Sequence, residues 1–384
     1  LELSPDGVAS LLFARRYARD TPWNYCQRAG FKMTQQQQLL EETVSGLFAE
    51  MVAPMGRELD IDSDWKTLTQ LGIDNIFVSE EEGGFAGNWQ DARIVFYHAG
   101  RNALALPICE TIVAKKLLLD AKIKLPSGPL TLAMAVDSRL EPCTDGDGYA
   151  FSGSLKAVPW GRISSTIVTA CQHDDNDYLL VLSSADGVFS GGRANEAGEP
   201  RDNLDFNSAK VLAVSQLDDA EQELLRKAAL MRTAQMSGAL DGALEMSVEH
   251  VKGREQFGRP LAKFQAIQQQ LAMLAEECAA VNCAAQAAAL AEDFGNNRFE
   301  IAAAKLRANR SVGSSTSIAH QVHGAIGVTG EYNLHRFTQR LWAWRSEFGN
   351  DRFWAEDLGR QVLAVKDGGL WAHITALSDK LAEQ

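Results

Sequence analysis

The chain has 384 residues, of which 46% are hydrophobic and 23% are charged. This balance is typical of a folded globular protein, and the length predicts two or three subdomains. The formal net charge of -13, from 37 basic and 50 acidic residues, argues against a nucleic-acid partner, because phosphate binding depends on clustered lysine and arginine. No uninterrupted apolar run reaches about 18 residues, so we expect no membrane span.

The cysteines are scattered along the chain and form neither a CxxC pair nor a cluster with histidine at metal-ligand spacing. We therefore predict no metal site. Scattered cysteines of this kind indicate reduced, small, buried side chains, and we expect a cytoplasmic protein. The six residues are Cys26, Cys109, Cys143, Cys171, Cys278 and Cys283.

Hydrophobic patterning divides the chain into an extension and three domains of a predicted α+β fold. Residues 1–32 carry unpatterned arginines without the apolar region or cleavage site of a signal peptide, and an amphipathic helix begins directly after Met33. Helical spacing predicts an N-terminal helical domain over 33–127. Short β-branched and aromatic runs separated by DGDG, HDDND and ADG turns predict a small antiparallel β-domain over 128–217. Three long apolar stripes predict a C-terminal four-helix-type bundle over 218–384.

The common catalytic and nucleotide motifs are absent from the sequence. It contains no GxGxxG, GxxxxGK[ST], HExxH or GxSxG. A Rossmann cofactor site, a P-loop, a zinc protease helix and a hydrolase nucleophile elbow therefore have no direct support.

Two segments in the last third carry features that suit a ligand. In REQFGRPLAKFQ, residues 254–265, Arg254 ends a helix and Phe257 and Gly258 form a turn. An arginine beside exposed backbone donors suits a pyrophosphate, because its planar guanidinium forms bidentate, charge-assisted bonds. The alternative is an ordinary loop between helices with a solvated arginine.

The second segment is QVHGAIGVTGEYNLHRF, residues 321–337. Gly324, Gly327 and Gly330 would let the backbone approach a ligand closely, and Gln321 offers both donors and acceptors. The segment adds a second candidate surface for the same kind of ligand.

These two segments, with SEEEGGFAG and GRNALALP earlier in the chain, resemble motifs of the acyl-CoA dehydrogenase family in the same order and spacing. The resemblance covers essentially the whole span from Met33. It implies a helical, β, helical subunit in a dimer or a homo- or heterotetramer, with FAD bound between the β-domain and the C-terminal helices. It also implies an acyl-CoA substrate and an electron-transfer flavoprotein as acceptor, as in acyl-CoA or fatty acid catabolism.

The resemblance assigns roles to individual positions. The residues that would hold the adenosine diphosphate of a neighbouring subunit's FAD are Arg254, Gln256, Phe257 and Gln265, joined by Gln321, Gly324 and Ala325 from the QxxGG contact. Ala325 replaces a family glycine, and its methyl group would crowd the pyrophosphate unless the backbone shifts. KAVPWGR faintly resembles the family's KxWITN strand, so Trp160 is a candidate for stacking on the flavin; the alternative is a core aromatic.

The position of the catalytic base departs from the family pattern. Family chemistry pairs abstraction of an α-proton by a glutamate with β-hydride transfer to flavin. Aligned on Gly349, the usual glutamate position holds Phe348, and the alternative family position holds Ala228. Glu347 is the candidate base, but one residue turns a helical side chain by roughly 100°, so it reaches the substrate only if the turn is shifted. Its alternative is a solvated glutamate beside Arg345.

Three hypotheses follow from the sequence. The first is an active FAD-dependent acyl-CoA dehydrogenase with Glu347 as base. The second is a catalytically incomplete, FAD-supporting partner subunit of a heteromeric acyl-CoA dehydrogenase. The third is a flavin enzyme of the same fold with other chemistry, such as oxygen activation.

Overall fold

The computed structural model describes residues 33–52, 61–143, 148–295, 297–365, 369–372 and 374–375. The predicted extension, residues 1–32, lies outside them. Among the helices that the structure does describe, none is both long and apolar enough to cross a membrane.

The predicted N-terminal helices form, and two of them begin with reciprocal caps. They are α1 (Gln35–Val52), α2 (Ile61–Gln70), α3 (Trp89–Arg101) and α4 (Ile108–Asp120). Thr34 Oγ1 accepts from the Gln37 amide at 3.1 Å, and Gln37 Oε1 accepts from the Thr34 amide at 3.2 Å. Asn88 and Asp91 form the same reciprocal pair at 3.1 and 2.8 Å. These capping boxes satisfy amides that the first helical turn leaves without partners.

In the described part of the chain, eight strands follow and form two four-stranded sheets. They are β1 (Leu130–Leu132), β2 (Ala135–Pro142), β3 (Tyr149–Pro159), β4 (Thr166–His173), β5 (Asn176–Ser183), β6 (Val188–Ala194), β7 (Pro200–Lys210) and β8 (Ala213–Gln216). One sheet has the order β1-β4-β5-β8 and the other β2-β3-β7-β6. The neighbouring strands in these two sheets are antiparallel, as predicted, except for β1 and β4, which are parallel. Phe151 and Phe206 of one sheet share a core with Ile167 and Leu180 of the other.

The C-terminal part is helical, as its apolar stripes predict. It comprises α5 (Ala220–Gly253), α6 (Gln265–Asp293), α7 (Arg298–His323), α8 (Leu334–Ser346) and α9 (Asp351–Ala364). The apolar stripes meet in one buried cluster that includes Leu240, Leu274, Val312 and Leu341. Burial of these stripes, rather than intrinsic helix propensity, supplies most of the stability of such a bundle.

The chain divides into two compact units. Of the described residues, those within 33–50, 96–103 and 232–375 form the bundle unit, and those within 51–95 and 104–231 form the strand unit. The candidate FAD segments and the turn at Phe348 all belong to the bundle unit. The domain boundaries predicted from the sequence remain a prediction.

Helices α3 and α5 touch backbone to backbone through two glycines of the bundle unit. A Cβ on Gly238 would lie 1.9 Å from the Tyr97 carbonyl oxygen, and one on Gly100 would lie 1.9 Å from the Gln235 carbonyl oxygen. Because both obstacles are backbone atoms, a methyl group fits only if the helices separate.

We expect Gly238→Ala to destabilise the protein by about 1–3 kcal/mol, since overpacking outweighs the gain in helix propensity. Gly313→Ala is the matched control, because Gly313 lies in α7 with nothing within 4 Å of a built Cβ. Thermal unfolding should give a lower transition temperature for the first variant and an unchanged or higher one for the second. Equal transition temperatures would contradict the close contact.

Candidate functional site

The segment after α5 forms a two-residue hairpin. Glu255–Gln256 pairs antiparallel with Arg259–Pro260. The turn residues Phe257 and Gly258 have φ values of 53° and 75°. Two successive positive φ angles are those of a type I′ turn, which matches the twist of a hairpin. The predicted turn is therefore confirmed, with Phe257 in a conformation that costs a non-glycine residue energy.

The hairpin presents exposed side chains of the kinds expected for a nucleotide. Phe257 is 90% exposed, and Arg254, Gln256 and Gln265 are also exposed. Among the described residues, the Arg254 guanidinium has no ion-pair or hydrogen-bond partner. Its donors are therefore available to a ligand or to another chain.

The second segment begins where α7 ends. Gly324 has φ 62° and ψ −144°, and its amide donates to the His320 carbonyl. Such a conformation favours glycine. Gln321, Gly324 and Ala325 are exposed, and open space surrounds a Cβ built on Gly324. Ala325 has no positive φ, so the replacement of the family glycine is compatible with this backbone.

The ends of α5 and α7 are in contact. The rings of His250 and His323 stack with centroids 4.5 Å apart and an interplanar angle of 27°. His250 lies one helical turn before Arg254, and His323 directly precedes Gly324. The two segments of the sequence prediction thus belong to one surface of the bundle unit.

This surface fits a diphosphate-containing group. Arg254 supplies a planar guanidinium that no other described residue pairs with, and Gln321 supplies an exposed amide. At Gly324 no side chain blocks the approach of a ligand to the backbone. A free arginine fork beside exposed donors is the arrangement that binds a pyrophosphate bidentately.

Trp160 lies in the strand unit and is only 5% exposed. Its φ is 56°, and its carbonyl accepts from the amides of Ile163 and Ser164 at 3.0 and 2.8 Å. The backbone at this tryptophan is therefore a tight turn after β3. Stacking of its ring on a flavin remains a prediction.

Glu347 follows the last residue of α8 and forms an ion pair with a buried arginine. Glu347 Oε2 lies 2.8 Å from Arg232 Nη2, and the Arg232 side chain is 1% exposed. Arg232 also donates to Gln235 Oε1 at 2.5 Å. Its guanidinium lies 5.2 Å from the ring centre of Trp344 and 5.5 Å from that of Phe348. The carboxylate of the candidate base is thus engaged by a cation that has almost no contact with water.

The alternative of a solvated Glu347 beside Arg345 is wrong. Glu347 is 18% exposed at its side chain, and its partner is Arg232. Arg345 instead pairs with Asp351, with Nη2 and Oδ2 2.5 Å apart. Sequence reasoning missed Arg232; the signal available was a charged residue within the apolar stripe of α5.

The turn after α8 is fixed by a buried lysine. Lys305 Nζ donates to Asn309 Oδ1 at 2.6 Å and to the carbonyls of Trp344 and Arg345 at 3.0 and 3.3 Å. Burial lowers the pKa of Lys305 to about 7. Asn309 Nδ2 also donates to the Gly349 carbonyl at 3.3 Å. These bonds satisfy carbonyls at the helix end and hold the residues around Phe348 in place.

Neither family position for the base carries a carboxylate. Phe348 has φ 52° in the turn between α8 and α9. Ala228 lies in α5 and is fully buried. A methyl group and a phenyl ring cannot accept a proton, so each position lacks the chemistry that abstraction requires.

Residues 219–363 match the family model "Acyl-CoA dehydrogenase, C-terminal domain". The chain is 28% identical over 323 residues to acyl-CoA dehydrogenase IpdE2 of Mycolicibacterium smegmatis, with 80% of this chain and 93% of that protein covered. It is 28% identical over 312 residues to acyl-CoA dehydrogenase FadE34 of Mycobacterium tuberculosis, where the match covers 79% of this chain and 42% of that longer protein.

Among solved structures, the ChsE4-ChsE5 complex from Mycobacterium tuberculosis has the same fold, with a TM-score of 0.77 and 20% identity over 87% of this chain and 99% of that chain. The matched C-terminal domain, the relatives and the shared fold thus make this chain similar to acyl-CoA dehydrogenases.

Proposed function

We propose that the chain is an FAD-supporting subunit of a heteromeric acyl-CoA dehydrogenase, in which a partner chain contributes the catalytic base. The observation that supports this proposal most directly is the ion pair between Glu347 and the buried Arg232. Separating such a pair leaves an uncompensated charge in a poorly hydrated place, which costs several kcal/mol. Glu347 is therefore better suited to stabilise the turn than to exchange protons with a substrate.

Under this proposal, the chain binds FAD and the partner chain supplies the base. Arg254 would bind the pyrophosphate of FAD, and Gln321 and the backbone at Gly324 would contact the same moiety. A bound FAD would supply the acceptor for the hydride that the acyl-CoA loses, and the residues of this chain would hold its diphosphate. Phe257, on its exposed turn, would pack against the partner chain. We further propose the cytoplasm as compartment and an electron-transfer flavoprotein as electron acceptor.

A homomeric, active dehydrogenase is the second candidate. It is favoured by the partial exposure of the Glu347 side chain, which is 18%. It requires Glu347 to leave Arg232 when substrate binds, and kinetic measurement separates it from the partner-subunit proposal.

Co-expression with a second acyl-CoA dehydrogenase chain that carries the family glutamate tests the proposal. We expect the two chains to co-purify with FAD and to oxidise an acyl-CoA. Replacing the partner's glutamate with glutamine should abolish that activity, whereas Glu347→Gln in this chain should lower stability, because it leaves the buried Arg232 without its anion, but should keep the activity per bound flavin. Loss of activity in the second variant, with flavin retained, would overturn the proposal.

We expect Arg254→Ala to weaken FAD binding in the assembled protein roughly tenfold to a hundredfold, because a charge-assisted bond contributes about 1.5–3 kcal/mol. Lys252→Ala is the matched control. Lys252 is also exposed and cationic, but it pairs with Glu249 at 2.6 Å. Flavin absorbance after gel filtration measures occupancy, and circular dichroism checks the fold. Equal occupancy in both variants would exclude Arg254 as a ligand.

A further inference from the structure

An aromatic cluster joins the two segments proposed to bind FAD. His250, near the end of α5, stacks on His323, the last residue of α7. The Tyr332 ring lies edge-on to His250, with centroids 5.9 Å apart, and 5.1 Å from His323. His250 lies four residues before Arg254 and His323 two residues after Gln321, so this contact joins the segments that carry both side chains.

His323 is held in a defined state within the cluster. It is 5% exposed, and its Nδ1 lies 2.7 Å from the Ala319 carbonyl oxygen. Because a carbonyl only accepts, Nδ1 carries a hydrogen. His250 is half-buried, and its ring has stacking contacts on the side facing His323 and Tyr332.

We propose that His250 and His323 are positioning residues for the FAD-binding surface, and that they hold Arg254 and Gln321 together only while both imidazoles are neutral. This inference rests on the proposed role of that surface in FAD binding. Neutral rings stack favourably at 4.5 Å, whereas a proton on either ring puts a charge into a poorly hydrated cluster beside the cationic Arg254, and two protons add repulsion between the rings.

The cations around the pair disfavour a further positive charge on either ring. They are Arg254, directly after α5, and His320 on α7 when it is protonated, and Lys252 also lies on α5. Glu249 is the nearby anion, and it already pairs with Lys252. Burial lowers the pKa of His250, and Arg254 lowers it further; burial is also the main cause that lowers the pKa of His323.

The sign of the pH effect follows from these lowered pKa values. The closed contact binds fewer protons than the separated segments, so it is fully present above the ordinary histidine pKa of about 6.5 and is lost as the pH falls through the lowered values. The surface should therefore bind FAD better at about pH 7.5 than at about pH 5.5.

The test compares His250→Phe with His250→Ala. Phenylalanine keeps a stacking ring that cannot be protonated, and alanine removes the ring. We expect the wild-type protein to bind FAD about tenfold more weakly at about pH 5.5 than at about pH 7.5. The reason is that the histidine pair takes up one proton when the contact opens and FAD is released. His250→Phe should lose most of this pH dependence, and His250→Ala should bind weakly at both values. Identical pH profiles for wild type and His250→Phe, or tighter wild-type binding on acidification, would overturn the proposal.

A measurement without flavin separates this inference from the proposed function. Amide hydrogen exchange of residues 254–259 in flavin-free protein should accelerate on acidification in the wild type more than in His250→Phe, after correction for the intrinsic pH dependence. If exchange accelerates in this way but the protein does not bind FAD, the histidine contact is supported and the proposed function is refuted. Equal exchange in the two proteins would refute the contact, whatever the flavin does.

Discussion

The homomeric protein loaded with FAD is expected to reduce its flavin with acyl-CoA substrates only at a residual rate. General-base assistance typically contributes roughly 10² to 10⁴ in rate, and neither Phe348 nor Ala228 can provide it. Anaerobic mixing with acyl-CoAs of several chain lengths, followed at the flavin absorbance band, measures the rate directly. Rapid bleaching of the wild-type protein would show that a carboxylate of this chain acts as base.

Two variants identify the source of any rate that is observed. Phe348→Glu places a carboxylate at the family position and is expected to raise the rate of flavin reduction, although the positive φ of 52° limits how well the side chain is aimed. Glu347→Gln should not lower the residual rate. If it does so by more than about tenfold with flavin retained, Glu347 is the base and the chain is a self-sufficient enzyme.

Arg232→Met is expected to destabilise the bundle unit by about 3–5 kcal/mol, because it leaves the Glu347 carboxylate without its buried partner. The double variant Arg232→Met with Glu347→Gln should recover much of this loss, since no unpaired charge then remains. Denaturant unfolding of the wild type, the two single variants and the double variant gives the coupling free energy between Arg232 and Glu347.

An exposed ion pair of the same chemistry is the control for this cycle. Arg352 is 86% exposed at its side chain and pairs with Glu356 on α9 at 2.6 Å. Its replacement by methionine should leave stability nearly unchanged, because solvent screens an exposed ion pair. A coupling free energy between Arg232 and Glu347 as small as that of the control would mean that the carboxylate is not held by the arginine.

Local sequence signals predicted the elements of this fold because each signal acts within a few residues. Thr34 and Gln37 lie one helical turn apart, so the start of α1 is encoded where it occurs. Gly258 allows the positive φ that the hairpin turn needs. The stripes of α5, α6 and α7 likewise result from the periodicity of the helix itself.

The partner of Glu347 could not be predicted in this way. Arg232 lies in a different helix, and its distance from Glu347 depends on how α5 packs against α8. Lys305 presents the same difficulty, since its acceptors are carbonyls at the end of another helix. Tertiary packing decides such pairs, and one sequence does not specify it. The family resemblance indicated the position of the base, Phe348. Only the structure showed that Arg232 pairs with the carboxylate of the neighbouring Glu347.

The turn at Phe257 also affects how the protein can be produced. A phenylalanine ring that is 90% exposed forgoes about 1.5–3 kcal/mol of burial, and its left-handed backbone costs about 1–2 kcal/mol more. If a partner chain covers the ring, as proposed, the burial term is recovered and offsets the strained backbone. Under that proposal, the chain produced alone exposes this aromatic ring and is prone to aggregate. Simultaneous translation of the two proposed subunits would then shorten the lifetime of the unpaired chain.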